Sequence, residues 1–318
     1  INKILLAAGT YELTSDMCAG SAVCINRTLT IEAMVPGAAV LNAMNGRRVF
    51  EIQSGGTAAL IGLNITGGFT QAGGGGLYIA GMATLTNTNV YTNRASWSSG
   101  GGLYILGTAT LINTNVHANR GDTFGYGGGL FVLEDGVANL EGCDIYENQA
   151  GTGGGLYIAG TATLNNTNVY SNTASHDGGG ICVGDGGEAT LNNSNVYQNE
   201  ATDSHQNYGG YGGGVSISSG GEATMTDSNV YQNQAQKQIG GGGLAVYGMA
   251  TLTNSNVYQN VAGDGGSEGG DGGQNVYISN GELTLLGSSL ADFTGVYNGG
   301  SIIAPPTPSP PPPSPPLP

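Results

Sequence analysis

The sequence predicts an all-β protein built as a single parallel β-helix. Three observations carry that expectation: a repeat of about 24 to 29 residues, strict alternation inside each repeat, and a composition rich in Gly and poor in charge. Gly supplies 60 of 318 residues and charged residues only 9%. Long helices need Lys, Glu, Arg and Ala, and Gly disfavours them, so an α-rich fold is excluded. Hydrophobic residues make up 39% and recur at regular places, which excludes a disordered chain.

The repeat is read from the segment Gly73 to Asn93. Its first block, Leu77-Tyr78-Ile79, returns at Leu103-Tyr104-Ile105, Leu130-Phe131-Val132, Leu156-Tyr157-Ile158, Ile181-Cys182-Val183, Val215-Ser216-Ile217, Leu244-Ala245-Val246 and Val276-Tyr277-Ile278. The second block, Asn89-Val90-Tyr91, returns with its Val or Ile at 116, 145, 169, 196, 230 and 257. Each unit has room for two or three short strands bounded by Gly or Asn. Alternation places Leu77, Ile79, Leu85 and Val90 inward and Tyr78, Thr84 and Tyr91 outward. That is one coil of a β-helix. Leucine-rich repeats of this length would show Leu-x-x-Leu-x-Leu, and the pattern is missing.

Before Gly73 the pattern loosens. Leu29-Thr30-Ile31, Val40-Leu41, Val49 to Ile52 and Leu60 to Thr66 read as earlier coils, with Ile4 to Leu13 as a cap. The expectation is eleven or twelve coils, a rod on the order of 55 Å at about 4.8 Å per coil. Loops interrupt it at Arg120 to Tyr126, Ala201 to Tyr211 and Val261 to Gln274. Residues 1–303 form the β-helix domain. Ala304 to Pro318 is so proline-rich that only polyproline II or a disordered tail suits it.

Two columns recur. Asn93, Asn119, Asn148, Asn172, Asn199, Asn233 and Asn260 hold one place in successive units, and a stacked asparagine ladder at a turn follows. Tyr91, Tyr146, Tyr170, Tyr197, Tyr231 and Tyr258, interrupted by His117, form an outward aromatic stripe, either plain strand dressing or a platform for sugars or a neighbouring protomer.

Charge and cysteines bound the partners. A net charge of −15 argues against nucleic acid and anionic membrane, and no run of eighteen apolar residues spans a bilayer. Cys18 and Cys24 enclose a five-residue loop suited to a disulfide in an oxidising compartment, whereas spacing does not say whether Cys143 meets Cys182. The chain opens on Ile1-Asn2-Lys3-Ile4, which reads as a mature or truncated start, since a removed leader leaves no trace. Asn26, Asn64, Asn165 and Asn192 satisfy the N-glycosylation sequon, with Asn64 suitable only if it faces outward.

A polysaccharide lyase needs a base and calcium-binding acids, and a hydrolase needs paired carboxylates in one cleft. From Gly121 to Gly300 the only strong base is Lys237. Asp135, Asp144, Asp177, Asp185, Asp203 and Asp227 are scattered, and His117, His176 and His205 stand alone, so no catalytic residue is assigned. No cofactor is expected. Calcium is unsupported beyond a loose set, Asp264, Glu268 and Asp271, in a glycine-rich loop. Arg120-Gly121-Asp122 is read as a chance triplet, and the Gly runs lack the Lys-Ser or Lys-Thr of a phosphate loop.

The segments Val40-Leu41-Asn42 through Arg48-Val49-Phe50, Leu60 to Gly68, and the repeated Gly-Gly-Gly-Leu-Tyr-Ile resemble the pectin-lyase-like right-handed β-helix superfamily. Within it they are most similar to the repeats of polymorphic outer-membrane proteins. The resemblance spans 1–303 and implies a right-handed helix; that fold hosts enzymes, adhesins and rods alike. The tail resembles the hydroxyproline-rich segments of extensin-like and volvocine algal wall glycoproteins. That likeness implies hydroxylation and O-linked sugars on Pro305, Pro306, Pro308, Pro310, Pro311, Pro312, Pro313, Pro315 and Pro316, with Thr307, Ser309 and Ser314. The combined expectation is a secreted, non-catalytic structural subunit of a glycosylated surface filament, akin to a mastigoneme, with itself and glycans as partners. The alternatives are a carbohydrate-binding adhesin and, behind it, a polysaccharide lyase or hydrolase.

Overall fold

Short, alternating, Gly-bounded strands cannot bury an apolar face alone, so each must stack on its neighbour in the next unit. The computed structural model shows this stacking. It describes residues 2–202, 210–236, 240–263, 275–288 and 296–303. The tail, the calcium loop acids Asp264, Glu268 and Asp271, and Asp203, His205 and Lys237 lie outside them.

Every strand pair is parallel and joins equivalent residues of successive coils, as in Leu77↔Leu103↔Leu130↔Leu156 and Val90↔Val116↔Ile145↔Val169. A regular coil holds four strands: Leu77–Ile79, Met82–Thr86, Asn89–Tyr91 and the two-residue Arg94–Ala95. The fourth escaped the sequence reading because two residues carry no alternation. The first two columns merge into a 21-stranded sheet, the Asn-Val-Tyr strands form a ten-stranded one, and the short strands form sheets of five and two. The described residues contain no helix.

The ten stacked Asn-Val-Tyr-type strands make about nine turns, fewer than the eleven or twelve expected. The expected coils at Leu29-Thr30-Ile31 and Val40-Leu41 are the second and third strands of one coil, and those at Val49 to Ile52 and Leu60 to Thr66 belong together to the next. Nine turns at about 4.8 Å give a rod of roughly 43 Å.

Inside the coil the alternation is obeyed. Leu77, Ile79, Leu85 and Val90 are fully buried and join one continuous core from Ile25 to Leu285, while Tyr78 and Tyr91 are half-buried and Thr84 exposed. The Gly triplets make the corner before the Leu-Tyr-Ile strand. Gly153 turns at φ +65, and a Cβ on Gly154 would lie 2.5 Å from the carbonyl oxygens of Gly179 and Thr173, so only hydrogen fits there.

Candidate functional site

Two ladders line one corner and one face of the coil. In the buried corner ladder, Asn172 Oδ1 accepts from the backbone N–H and Nδ2 of Asn148, both at 3.0 Å, and its Nδ2 donates to Ile145 O at 2.9 Å and Asn199 Oδ1 at 3.0 Å. The same bonds repeat from Asn93 to Asn260, every member 3% exposed or less. Asn275 adds a rung beyond the seven expected, accepting from Asn260 at 2.9 Å at a separation of 15 residues, outside the period of the repeat. These amides hold the residue before them in a left-handed conformation, from Thr92 at φ 49 through Ser171 at 54 to Gln259 at 54.

A third ladder was not read from the sequence. Thr88, Thr114, Thr167, Ser194, Ser228 and Ser255 are buried, and each hydroxyl from Thr114 to Ser255 that follows a hydroxyl residue accepts the backbone N–H of the previous rung, as Ser194 does from Thr167 at 3.1 Å. Cys143 fills one rung, its thiol donating to Leu111 O at 3.4 Å; burial pushes that thiol up to about 11. Cys143 and Cys182 are both free and buried, and Cys18 and Cys24 are disulfide-bonded with their Cα atoms 6.1 Å apart.

On the outer face Asn64, Asn89 and Asn115 link side chain to side chain at 2.7 and 2.9 Å, and Asn168, Asn195, Asn229 and Asn256 continue from Asp144 at 3.0–3.1 Å. Two residues on, Tyr91, His117, Tyr146, Tyr170, Tyr197, Tyr231 and Tyr258 stack with centroids 4.6–5.2 Å apart and planes within 2–8°. Ring faces are covered by the next ring, so edges and hydroxyls look outward. Burial, with nearby carboxylates and phenols adding, pushes Tyr170 up to about 12, and burial holds His117 below the usual histidine value against the pull of Glu147.

The fold already uses three of the four sequon asparagines. Asn64 faces outward and donates to Gly37 O at 2.7 Å; Asn192 donates to Asn165 Oδ1 at 2.9 Å; the partner hydroxyls Thr167 and Ser194 are buried rungs. Asn26 is exposed on a turn.

Among the described residues, the buried arginine is fully engaged. Arg48, 7% exposed, donates to Gly73 O at 2.7 Å, Gly74 O at 2.9 Å, Ser21 Oγ at 2.9 Å and Glu51 at 3.2 Å, and lies 4.9 Å over the Tyr78 ring. Burial lowers its pKa and Glu51 offsets this, but a guanidinium so bound is a clamp and no base. Among the described residues the one cluster of three metal-type ligands is Cys18, Cys24 and Glu51, and two of these are spent in the disulfide. A surface pocket of about 380 Å³ is lined by Phe124, Tyr126, Thr152, His176 and Asp177.

The model of the right-handed β-helix region matches residues 49–212 and 123–283. The chain belongs to the right-handed β-helix family. No curated protein matches it. Among solved structures, this β-helix is similar to pectate lyase Pel9A (17% identity, TM-score 0.44, covering 94% of this chain and 71% of that one). It is also similar to the Dettilon tailspike protein gp208 (10%, 0.50, 95% and 61%) and to a PL6 alginate lyase in complex with trisaccharide (13%, 0.39, 95% and 78%). At these identities the likeness is one of fold alone.

Proposed function

We propose that this β-helix is a non-catalytic rod of an oxidising, extracellular compartment, a structural subunit of a glycosylated surface filament. One observation carries the reading: polar side chains that repeat along the axis are bonded to the next coil and not gathered around a cleft. The buried asparagine, hydroxyl and outer amide ladders each tie coil to coil. The Cys18–Cys24 disulfide supports the oxidising address, Asn26 is the sequon asparagine left open for a glycan, and the proline-rich residues 304–318 supply further attachment points and a tether. Negative-stain microscopy of native material tests this, with filaments as the expected result. Release of unsaturated sugars from polygalacturonate or alginate would overturn it.

A second reading, a carbohydrate-binding adhesin, is favoured by the pocket beside Phe124 and Tyr126, which are 67% and 43% exposed, with Asp177 and His176 at its wall. Aromatic faces and a carboxylate suit a neutral sugar. Single particles that bind a glycan array would favour it.

A further inference from the structure

We infer that the Asn-Tyr face is the surface on which two copies of this chain pack, side by side and antiparallel. This rests on the rod reading and names the partner of its stripe.

The charge distribution singles out that face. Carboxylates on strands of the 21-stranded sheet include Glu32, Glu51, Glu141, Glu188, Glu222 and Glu282. On the outer columns of the Asn-Tyr face from Asn64 to Tyr258, Asp144 is the sole carboxylate and accepts from Asn168 at 3.0 Å. In a chain of net charge −15, two copies repel least where this face meets its equal.

Its chemistry suits contact. Each outer amide spends one N–H on its neighbour and keeps a second, and the phenols present hydroxyls at the spacing of the coils. Rings about 5.0 Å apart leave no slot for a partner ring, so the two faces meet by ring edges and hydroxyls rather than by interdigitation. Eight strands from Asn64 to Tyr258, about 4.8 Å apart and three residues across, give a strip on the order of 400 Å². A stable dimer buries about 800 Å² a side, so the contact extends from the strip onto its flanking corners, including the Gln198, Gln232 and Gln259 row.

Direction follows from Asp144 and Glu147. Parallel pairing in register sets both at the same level as their copies. Antiparallel pairing about the middle of the strip sets Asp144 across from Asn168 and closes a two-fold, self-complementary contact.

The test is sedimentation of the full chain across concentration, with Tyr170→Glu, Tyr197→Glu and, on the opposite sheet, Thr163→Glu. Expected is a concentration-dependent dimer whose affinity falls at least tenfold in the tyrosine variants and is unchanged in T163E. Tyr197→Phe keeps the stack and guards against a folding defect, with circular dichroism and melting alongside. A chain monomeric throughout, or a dimer indifferent to the tyrosine charges, overturns the inference. Filaments that still form in those variants leave the rod reading standing without it; a strip dimer that cleaves a glycan defeats the rod reading alone.

Discussion

Asn172 and Asn168 stand four residues apart in one coil, and both bond to the same residue type in the neighbouring coil, yet they differ in everything that sets energy. Asn172 is fully buried and its amide also serves three backbone groups. Asn168 is half-exposed and its side chain bonds to Asp144 and Asn195. The comparison teaches that a ladder specifies the fold where water cannot replace its bonds, and decorates the fold where water can.

The largest test of that difference is Asn172→Leu. It strands the Asn148 N–H and the Ile145 carbonyl, and a loss of about 3–5 kcal/mol in chemical denaturation is expected. Opening the Cys18–Cys24 disulfide, far from either ladder, should cost about 2 kcal/mol by the loop-entropy argument, read as a lower melting temperature under reductant. Asn168→Ala should stay within about 1 kcal/mol by the same denaturation. Cys143→Thr, which restores the commoner hydroxyl rung, should also cost less than about 1 kcal/mol, and a larger loss would show that packing rather than the N–H bond matters there.

The smallest effect is one of pH. Burial depresses the folded His117 pKa, so the unfolded chain takes up the proton first and the stack's stability, present above the unfolded value of about 6.5, is lost as pH falls. The melting temperature of the wild type should therefore drop more between neutral and mildly acidic pH than that of His117→Tyr. Equal slopes would remove His117 from the comparison.

The repeat made the fold, the inward Leu, Ile and Val, the asparagine ladder and the tyrosine row legible in advance, because each depends on periods that survive in one dimension. Other features depend on what lies across the coil. Arg48 looks like any surface arginine in sequence, and its burial follows from Ser21 in the coil before it and Gly73 and Gly74 in the coil after it. Asn275 was invisible because it follows Asn260 by 15 residues instead of a full period, and the hydroxyl ladder because Thr, Ser and Cys alternate in it. The coil count failed where Leu29-Thr30-Ile31 shares a coil with Val40-Leu41, and Val49 to Ile52 with Leu60 to Thr66. No local signal separates two faces of one coil from one face of two.

The buried amides have a consequence for size. Between coils each bonds only to the one above and the one below, and the longer sequence spacing between Asn199 and Asn233 leaves the bond between them at 2.9 Å. A chain held together in this nearest-neighbour way has no preferred number of units. Splicing in a copy of one coil should lengthen the molecule by a single increment and leave its diameter alone, so extent along the axis is an editable quantity, independent of the cross-section.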